Sequence, residues 1–317
     1  MSKNKRVVVA LGGNALQDPD RPPTAEEQLI AAKNTAVSIA ALIKAGYDVI
    51  IAHGNGPQVG RIVLASEYAQ EVTPVIPFPE CGAMSQGYIG YHLQQALREE
   101  LLKQGIEKPV ASVVTQVIVD KEDPAFQDPT KPIGAFYSEE EAKIIEREKG
   151  YVMKEDAGRG WRRVVPSPKP VDVVEKEAVK TLVDGGVLTI TVGGGGIPVI
   201  QKEDGSLEGI PAVIDKDFAA EKLAEIMDAD VLVILTGVEQ VAINFNKPNQ
   251  KFLDRINLEE AQRYIEEGHF APGSMLPKVE AAMAFAASKP GRKAVITLLD
   301  KAVEALEGKT GTVIVKE

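Results

Sequence analysis

Four short runs rich in valine and isoleucine, each closing on a glycine-bearing turn, limit what this chain can fold into. They are "VVVALGGNAL" (7–16), "VIIAHGNGPQ" (49–58), "VLTITVGGGGIPV" (187–199) and "VLVILTGV" (231–238). Continuous apolarity, as opposed to alternation, marks strands buried on both faces, as in a parallel sheet. "KPVASVVTQVIV" (108–119) and "KAVITLL" (293–299) are further strand candidates. Between them, apolar residues recur at helical spacing over 24–46, 85–105, 215–229 and 274–288. The first two of these end on Gly46 and Gly105, good C-caps. Strand–helix alternation predicts an α/β fold, a three-layer αβα sandwich around a mainly parallel open sheet.

Residues 120–168 break that rhythm. They are rich in Pro, Asp and Lys, and the expectation is a subdomain, about 118–168, protruding from the N-terminal half. "WRR" at 161–163 reads as part of a hairpin in that insertion.

In open parallel sheets, ligands bind beyond the carboxyl ends of the strands. All the glycine turns follow strands, so they are expected to share one edge. That gathers Gly12-Gly13-Asn14, Gly54-Asn55-Gly56 and Gly193 to Gly196 around one crevice. Bare backbone in several places at once suits an anion such as phosphate, held by N–H groups and helix N-termini.

Familiar alternatives are missing. The sequence has no G-x-x-x-x-G-K-[ST] loop, and after Gly54 and Gly56 the next glycine is Gly60, one place too late for G-x-G-x-x-G. G-x-S-x-G is absent too. His53, His92 and His269 are scattered, and the one cysteine, Cys81, stands alone, so no zinc spacing arises. Cys81 reads as a small buried hydrophobe in a reducing cytoplasm. With a net charge of −10, nucleic-acid binding is disfavoured. The basic N-terminus meets no signal-peptide core, and no run reaches the ~18 apolar residues of a membrane span. A cytoplasmic location, with no membrane and no nucleic-acid partner, is the expectation.

Anion-holding turns without an evident base or nucleophile suit phosphoryl transfer, which asks mainly for positioning and positive charge. The charge has three candidate sources. Asp215-Lys216-Asp217 precedes a helix; this is either a solvated face or an aspartate orienting a lysine. Lys278 stands in the first turn of a helix, where a cation is disfavoured unless an anion compensates. Lys131, between Pro129 and Pro132, reads by itself as a surface lysine on a stiffened loop. His53 reads as structural, and His92 as core or interface.

Seven segments in order, "ALGGNAL" (10–16), "HGNGPQVG" (53–60), "TQVIVDKEDPAFQDPTKPIG" (115–134), "RRVVPSPKP" (162–170), "VGGGGIPV" (192–199), "VIDKD" (213–217) and "PGSMLPKV" (272–279), carry a resemblance over essentially the whole chain. The chain resembles the amino-acid kinase superfamily and, within it, the carbamate kinases. Acetylglutamate, glutamate and isopentenyl-phosphate kinases carry a first-strand lysine where this chain has Ala10. Carbamate kinases lack it and use a lysine of the insertion, which corresponds here to Lys131.

The resemblance implies reversible transfer of a phosphoryl group between ATP and carbamate, which brings its own nucleophilic oxygen. It implies an N-terminal lobe, 1–205, for carbamate or carbamoyl phosphate and a C-terminal lobe, 206–317, for the nucleotide. Gly12, Gly13, Asn14, Gly54, Asn55 and Gly56 would cradle the phosphoryl group. Lys131, Lys216 and Lys278 would supply charge, with Asp217 holding lysines in place. Asp215, Thr236, Gly237, Val238, Met275 and Lys278 would contact ATP or ADP. Magnesium would travel on the nucleotide phosphates, with no protein ligand assigned. A homodimer is implied, with 81–97 as candidate interface helix, and a role in making ATP in arginine catabolism. Competing readings are a sister kinase acting on a carboxylate, a non-catalytic sensor of the same fold, and a dinucleotide oxidoreductase.

Overall fold

The computed structural model describes residues 4–18, 20–156 and 158–317, apart from the side chain of Asn14. Its main sheet has eight strands, in the order Arg255–Asn257, Thr312–Val315, Lys293–Leu298, Val231–Thr236, Arg6–Leu11, Asp48–His53, Leu188–Ile190, Val110–Ser112. Neighbours run parallel except Lys293–Leu298 with Thr312–Val315. The four glycine-ended runs are thus four consecutive parallel strands, and their turns emerge at one edge.

Both faces of the sheet are covered. Along Arg6–Leu11, Val8 and Ala10 pack into one core, under the helices Lys216–Ile226 and Met275–Ser288. Val7, Val9 and Leu11 pack into the other, under Ala25–Lys44 and Phe78–Lys103. Side chains alternate in direction along a strand, so a strand with two apolar faces needs a helix layer on each side.

At the far edge, the buried Arg6 guanidinium holds strand starts and helix ends together. It reaches Asp48 at 3.1 Å, Asp184 at 2.8 Å and the Met227 carbonyl at 3.0 Å. Lys180 and Arg6 together hold the Asp184 carboxyl down at about 2.

The run 108–119 is not one strand. Val110–Ser112 closes the main sheet, whereas Gln116–Val119 joins a second, four-stranded sheet with Pro170–Val173, Ile197–Gln201 and Leu207–Gly209. The switch falls at Thr115, which is fully buried. The Gln86 side chain takes both backbone groups of Thr115, accepting from its N–H at 2.7 Å and donating to its carbonyl at 3.0 Å. The Thr115 carbonyl also accepts from the Ile197 N–H at 2.9 Å, so the second sheet's ladder starts here while the side chain satisfies the N–H.

The insertion forms an antiparallel sheet of Lys131–Tyr137, Trp161–Val165 and Val152–Glu155, with the helix Glu139–Lys149 over it. Trp161 lies in the expected hairpin. Four helices have no counterpart in the sequence reading: Gly56–Tyr68, Glu139–Lys149, Lys176–Asp184 and Leu258–Glu266. The helix expected from Ser85 begins at Phe78, with Pro79 in its first turn, where proline is tolerated. Among the described residues, no helix is long and apolar enough to cross a membrane.

Candidate active site

The strand Arg6–Leu11 ends on Gly12, pressed against its neighbour: a Cβ there would lie 2.8 Å from the Leu235 carbonyl oxygen. The strand Asp48–His53 ends on Gly54, over which the Lys216 side chain lies; a Cβ would sit 3.3 Å from Lys216 Cδ. Gly54 thus gives space. Its N–H is donated to the Leu11 carbonyl at 3.1 Å. Asn55 is the N-cap of the helix Gly56–Tyr68, and its side-chain amide is donated to Ser85 Oγ at 2.8 Å. The first N–H groups of that helix have no partner inside it, so anion capacity at this turn comes from a helix N-terminus. Gly13 begins a 3-10 turn with Asn14 and Ala15; the Asn14 side chain lies outside the described residues.

The three lysines come from remote parts of the sequence and meet two carboxylates. Lys131 Nζ is 2.6 Å from Asp215 Oδ2. Lys216 Nζ pairs with Asp217 Oδ1, and Lys278 Nζ lies 3.1 Å from the other oxygen of the same carboxylate. Asp217 is 1% exposed. Asp215 caps the helix Lys216–Ile226 by accepting from the Asp217 N–H at 2.9 Å. Burial pushes the Asp215 carboxyl up, but Lys131, Lys216 and that N–H outweigh it and hold it at about 2. Both Lys216 and Lys278 stand in first turns of helices, the positive ends. Asp217 offsets part of that repulsion, and an anion at the lysine heads offsets more.

Two adjoining cavities open here. One, of about 590 Å³, is lined by Gly12, Gly13, Lys216, Thr236, Gly237 and Lys278. Asn34, Ser38 and Asp300 also face it, polar residues that the sequence reading did not single out. The other, of about 520 Å³, shares Thr236 and Gly237 and adds Val238 and Met275. Gln240, Asn244, Lys247, His269 and Ser274 add to its polar lining and were likewise not anticipated. Gln240 lies in the loop after the strand Val231–Thr236, Asn244 follows the strand Val241–Ile243 and His269 follows the helix Leu258–Glu266, so three separate loops build this wall.

The glycines at 193–196 do not line the crevice as expected. Gly193, Gly194 and Gly195 are buried, under His53, Asn55 and the Ile214 carbonyl respectively. They allow backbone to pack on backbone behind the site. His53 is scaffold. Its Nδ1 lies 2.8 Å from the Gly54 carbonyl, which only accepts, so Nδ1 carries the proton. Burial outweighs that bond and lowers its pKa to about 4.

The stability consequence has a definite sign. In the unfolded chain His53 protonates near 6.5, in the folded one near 4. Its contribution is therefore complete above pH 6.5 and is lost as pH falls toward 4. Between pH 6.5 and 4 the wild type is expected to lose about 3 kcal/mol more stability to urea than His53→Gln does. An identical acid loss in the variant would assign it elsewhere.

Other conspicuous residues are engaged away from the site. His92 is buried edge-on against Tyr88 and Tyr91. Cys81 is buried and its thiol is pushed up by burial. Arg162 donates to the Gly134 carbonyl and pairs with Asp156, and Arg163 stacks 3.6 Å from the centre of the Tyr151 ring.

The sequence profile of the amino acid kinase family matches residues 5–315. The chain is 62% identical to carbamate kinase from Clostridium perfringens over 98% of its own length and all of that protein's. It is 60% identical to the carbamate kinase-like protein YqeA of Escherichia coli, over 98% of the chain and 99% of the relative. The structure of carbamate kinase from Giardia lamblia bound to AMP-PNP superimposes with a TM-score of 0.92 at 45% identity, both chains fully covered. The chain belongs to the amino acid kinase family, in its carbamate kinase branch, and is a phosphotransferase.

Proposed function

We propose that the chain catalyses ATP + carbamate = ADP + carbamoyl phosphate. The observation that carries this reading is the convergence of Lys131, Lys216 and Lys278 on Asp215 and Asp217 beside a glycine floor. Carbamate attacks through an oxygen that is already anionic, so proton removal is not required. What remains is to align donor and acceptor and to offset the charge on the transferring and leaving oxygens. Lys216 and Lys278 suit that role, with Asp217 fixing both, and Lys131 reaches the same place from the insertion.

The nucleotide is placed in the cavity bounded by Thr236, Gly237, Val238 and Met275, its phosphates passing Thr236–Gly237 toward Lys216 and Lys278. Carbamate or carbamoyl phosphate is placed at Gly12, Gly13 and the N-terminus of Gly56–Tyr68. This corresponds to a nucleotide lobe of 206–317 and an acceptor lobe of 1–205. Magnesium enters with the nucleotide as part of the substrate. Asp215 and Asp217 are taken by lysines, and among the described residues no group of three or more His, Cys, Asp or Glu is arranged to hold a metal.

A homodimer is supported by exposed apolar side chains on the helix Phe78–Lys103, where Met84 is 47% and Tyr91 61% exposed. The buried lone cysteine accords with a reducing cytoplasm. ATP formation, as in arginine breakdown, is the direction proposed, since a mixed anhydride such as carbamoyl phosphate is a strong phosphoryl donor.

The test is direct. Purified protein with ADP, Mg²⁺ and carbamoyl phosphate is expected to form ATP well above the chemical background. Folded protein that forms none, or that phosphorylates glutamate or N-acetylglutamate instead, overturns the reading.

A further inference from the structure

Lys131 reaches the site from the insertion, so its position depends on how the insertion is held. The helix Gly56–Tyr68 runs along the insertion, from Gly60 to Glu67. At Gly60 a Cβ would lie 3.2 Å from both Cα and N of Gly134, so the helix and the strand Lys131–Tyr137 meet almost backbone to backbone. Near the far end of the helix, Glu67 gathers three side chains of the insertion. Lys149 Nζ is 2.6 Å from Oε2, the Tyr151 hydroxyl donates to Oε1 at 3.0 Å, and Arg163 lies 3.7 Å from the same oxygen. Arg163 stacks on Tyr151, and its strand neighbour across the ladder is Ile133, two residues from Lys131. Beneath this cluster, Val63 and Leu64 of the helix face Ile133 and Met153 around a gap of only about 40 Å³.

We propose that Glu67 is a positioning residue, a clamp that sets the orientation of the insertion and so the place of Lys131. This rests on the reading of Lys131 as a charge partner of the phosphoryl group. The close contact at Gly60 and the packing of Val63 and Leu64 on Ile133 and Met153 seat the insertion on the helix. Glu67 fixes its orientation at the far end, seven residues from Gly60 on one helix, about 10 Å at 1.5 Å per residue. The Glu67 side chain is 17% exposed and faces two cations and a hydroxyl, so solvent does not readily replace it. The same helix begins at Gly56, so acceptor turn and clamp are parts of one rigid element.

The experiment is a double-mutant cycle on ATP formation. Glu67→Ala is expected to lower kcat about tenfold to 10²-fold, the scale of a small misplacement of a catalytic group, with little change in KM for ADP. In a Lys131→Ala background the same substitution is expected to change kcat less than about twofold, because the group it positions is gone. Equal loss in both backgrounds overturns the clamp in favour of a merely structural role. Should Glu67→Ala not fold, Glu67→Gln and Tyr151→Phe replace it, with kcat losses of roughly threefold or more expected; wild-type kcat in both overturns the proposal. Lys131→Ala turning over at the wild-type rate removes the reading of Lys131 itself. A slow Lys131→Ala beside a fully active Glu67→Gln removes only the clamp.

Discussion

Lys278→Ala is expected to lower kcat for ATP formation by at least about 10²-fold, the cost of removing one preorganised partner of transition-state charge. Two effects act in the same direction. The ammonium is lost from the lining of the cleft shared with Lys216 and Thr236. Asp217, nearly inaccessible to solvent, is left with Lys216 alone, and its freed negative charge opposes the incoming phosphates. Lys216→Ala and Lys131→Ala are expected to lose at least as much. Lys278→Arg is expected to recover only part of the rate, because a planar guanidinium cannot reach both Asp217 and the Ser274 carbonyl as the ammonium does, each at 3.1 Å. Steady-state kinetics separate the roles. A fall in kcat at constant KM marks an interaction made only in the transition state, and a rise in KM alone marks substrate binding. Unchanged kcat and KM in Lys278→Ala would remove the lysine from the site.

Gly195→Ala is expected to destabilise the protein by about 3 kcal/mol or more, combining the left-handed penalty with overpacking against backbone. Gly195 has φ +93°, and its Cβ would fall 2.1 Å from the Ile214 carbonyl oxygen. Neither partner is a movable side-chain tip, so one backbone must shift. The next residue after Ile214 is Asp215, which caps the helix carrying Lys216 and Asp217. Activity is therefore expected to fall further than the folded fraction does. Gly205→Ala is the control. Gly205 has φ +83° with nothing within 4 Å of its Cβ, so only the conformational cost of about 1–2 kcal/mol applies. Urea midpoints of the two variants measure the difference, and equal midpoints would show that the contact at Gly195 relaxes freely.

The legible parts of the fold were those written in local pattern. Val7, Val9 and Leu11 face one core and Val8 and Ala10 the other, so an unbroken apolar run already required helices on both sides of the strand. Illegible parts depended on distant partners. The run 108–119 looks continuous, and its switch to a second sheet at Thr115 is held by Gln86, Thr191 and Ile197, all outside the run. The helix Gly56–Tyr68 was hidden behind a glycine- and proline-rich turn, although Pro57 suits a first helical turn and no further proline follows before its end.

The candidate site divides the same way. Ala10, Lys131 and the aspartate–lysine pairs were visible as residue types in order, because their neighbours along the chain carry the resemblance. By itself the sequence determined the layer architecture, the edge where the turns gather and which lysines to examine. Only the tertiary structure decided what each glycine is for: Gly54 leaves room for Lys216, while Gly193 to Gly195 admit His53, Asn55 and Ile214. It alone joined Lys131 to Asp215 and placed Glu67 against Lys149, Tyr151 and Arg163. Periodicity is a property of adjacent residues, whereas these contacts join positions 82 to 96 apart, or 84 for Lys131 with Asp215, and exist only once the helices have packed.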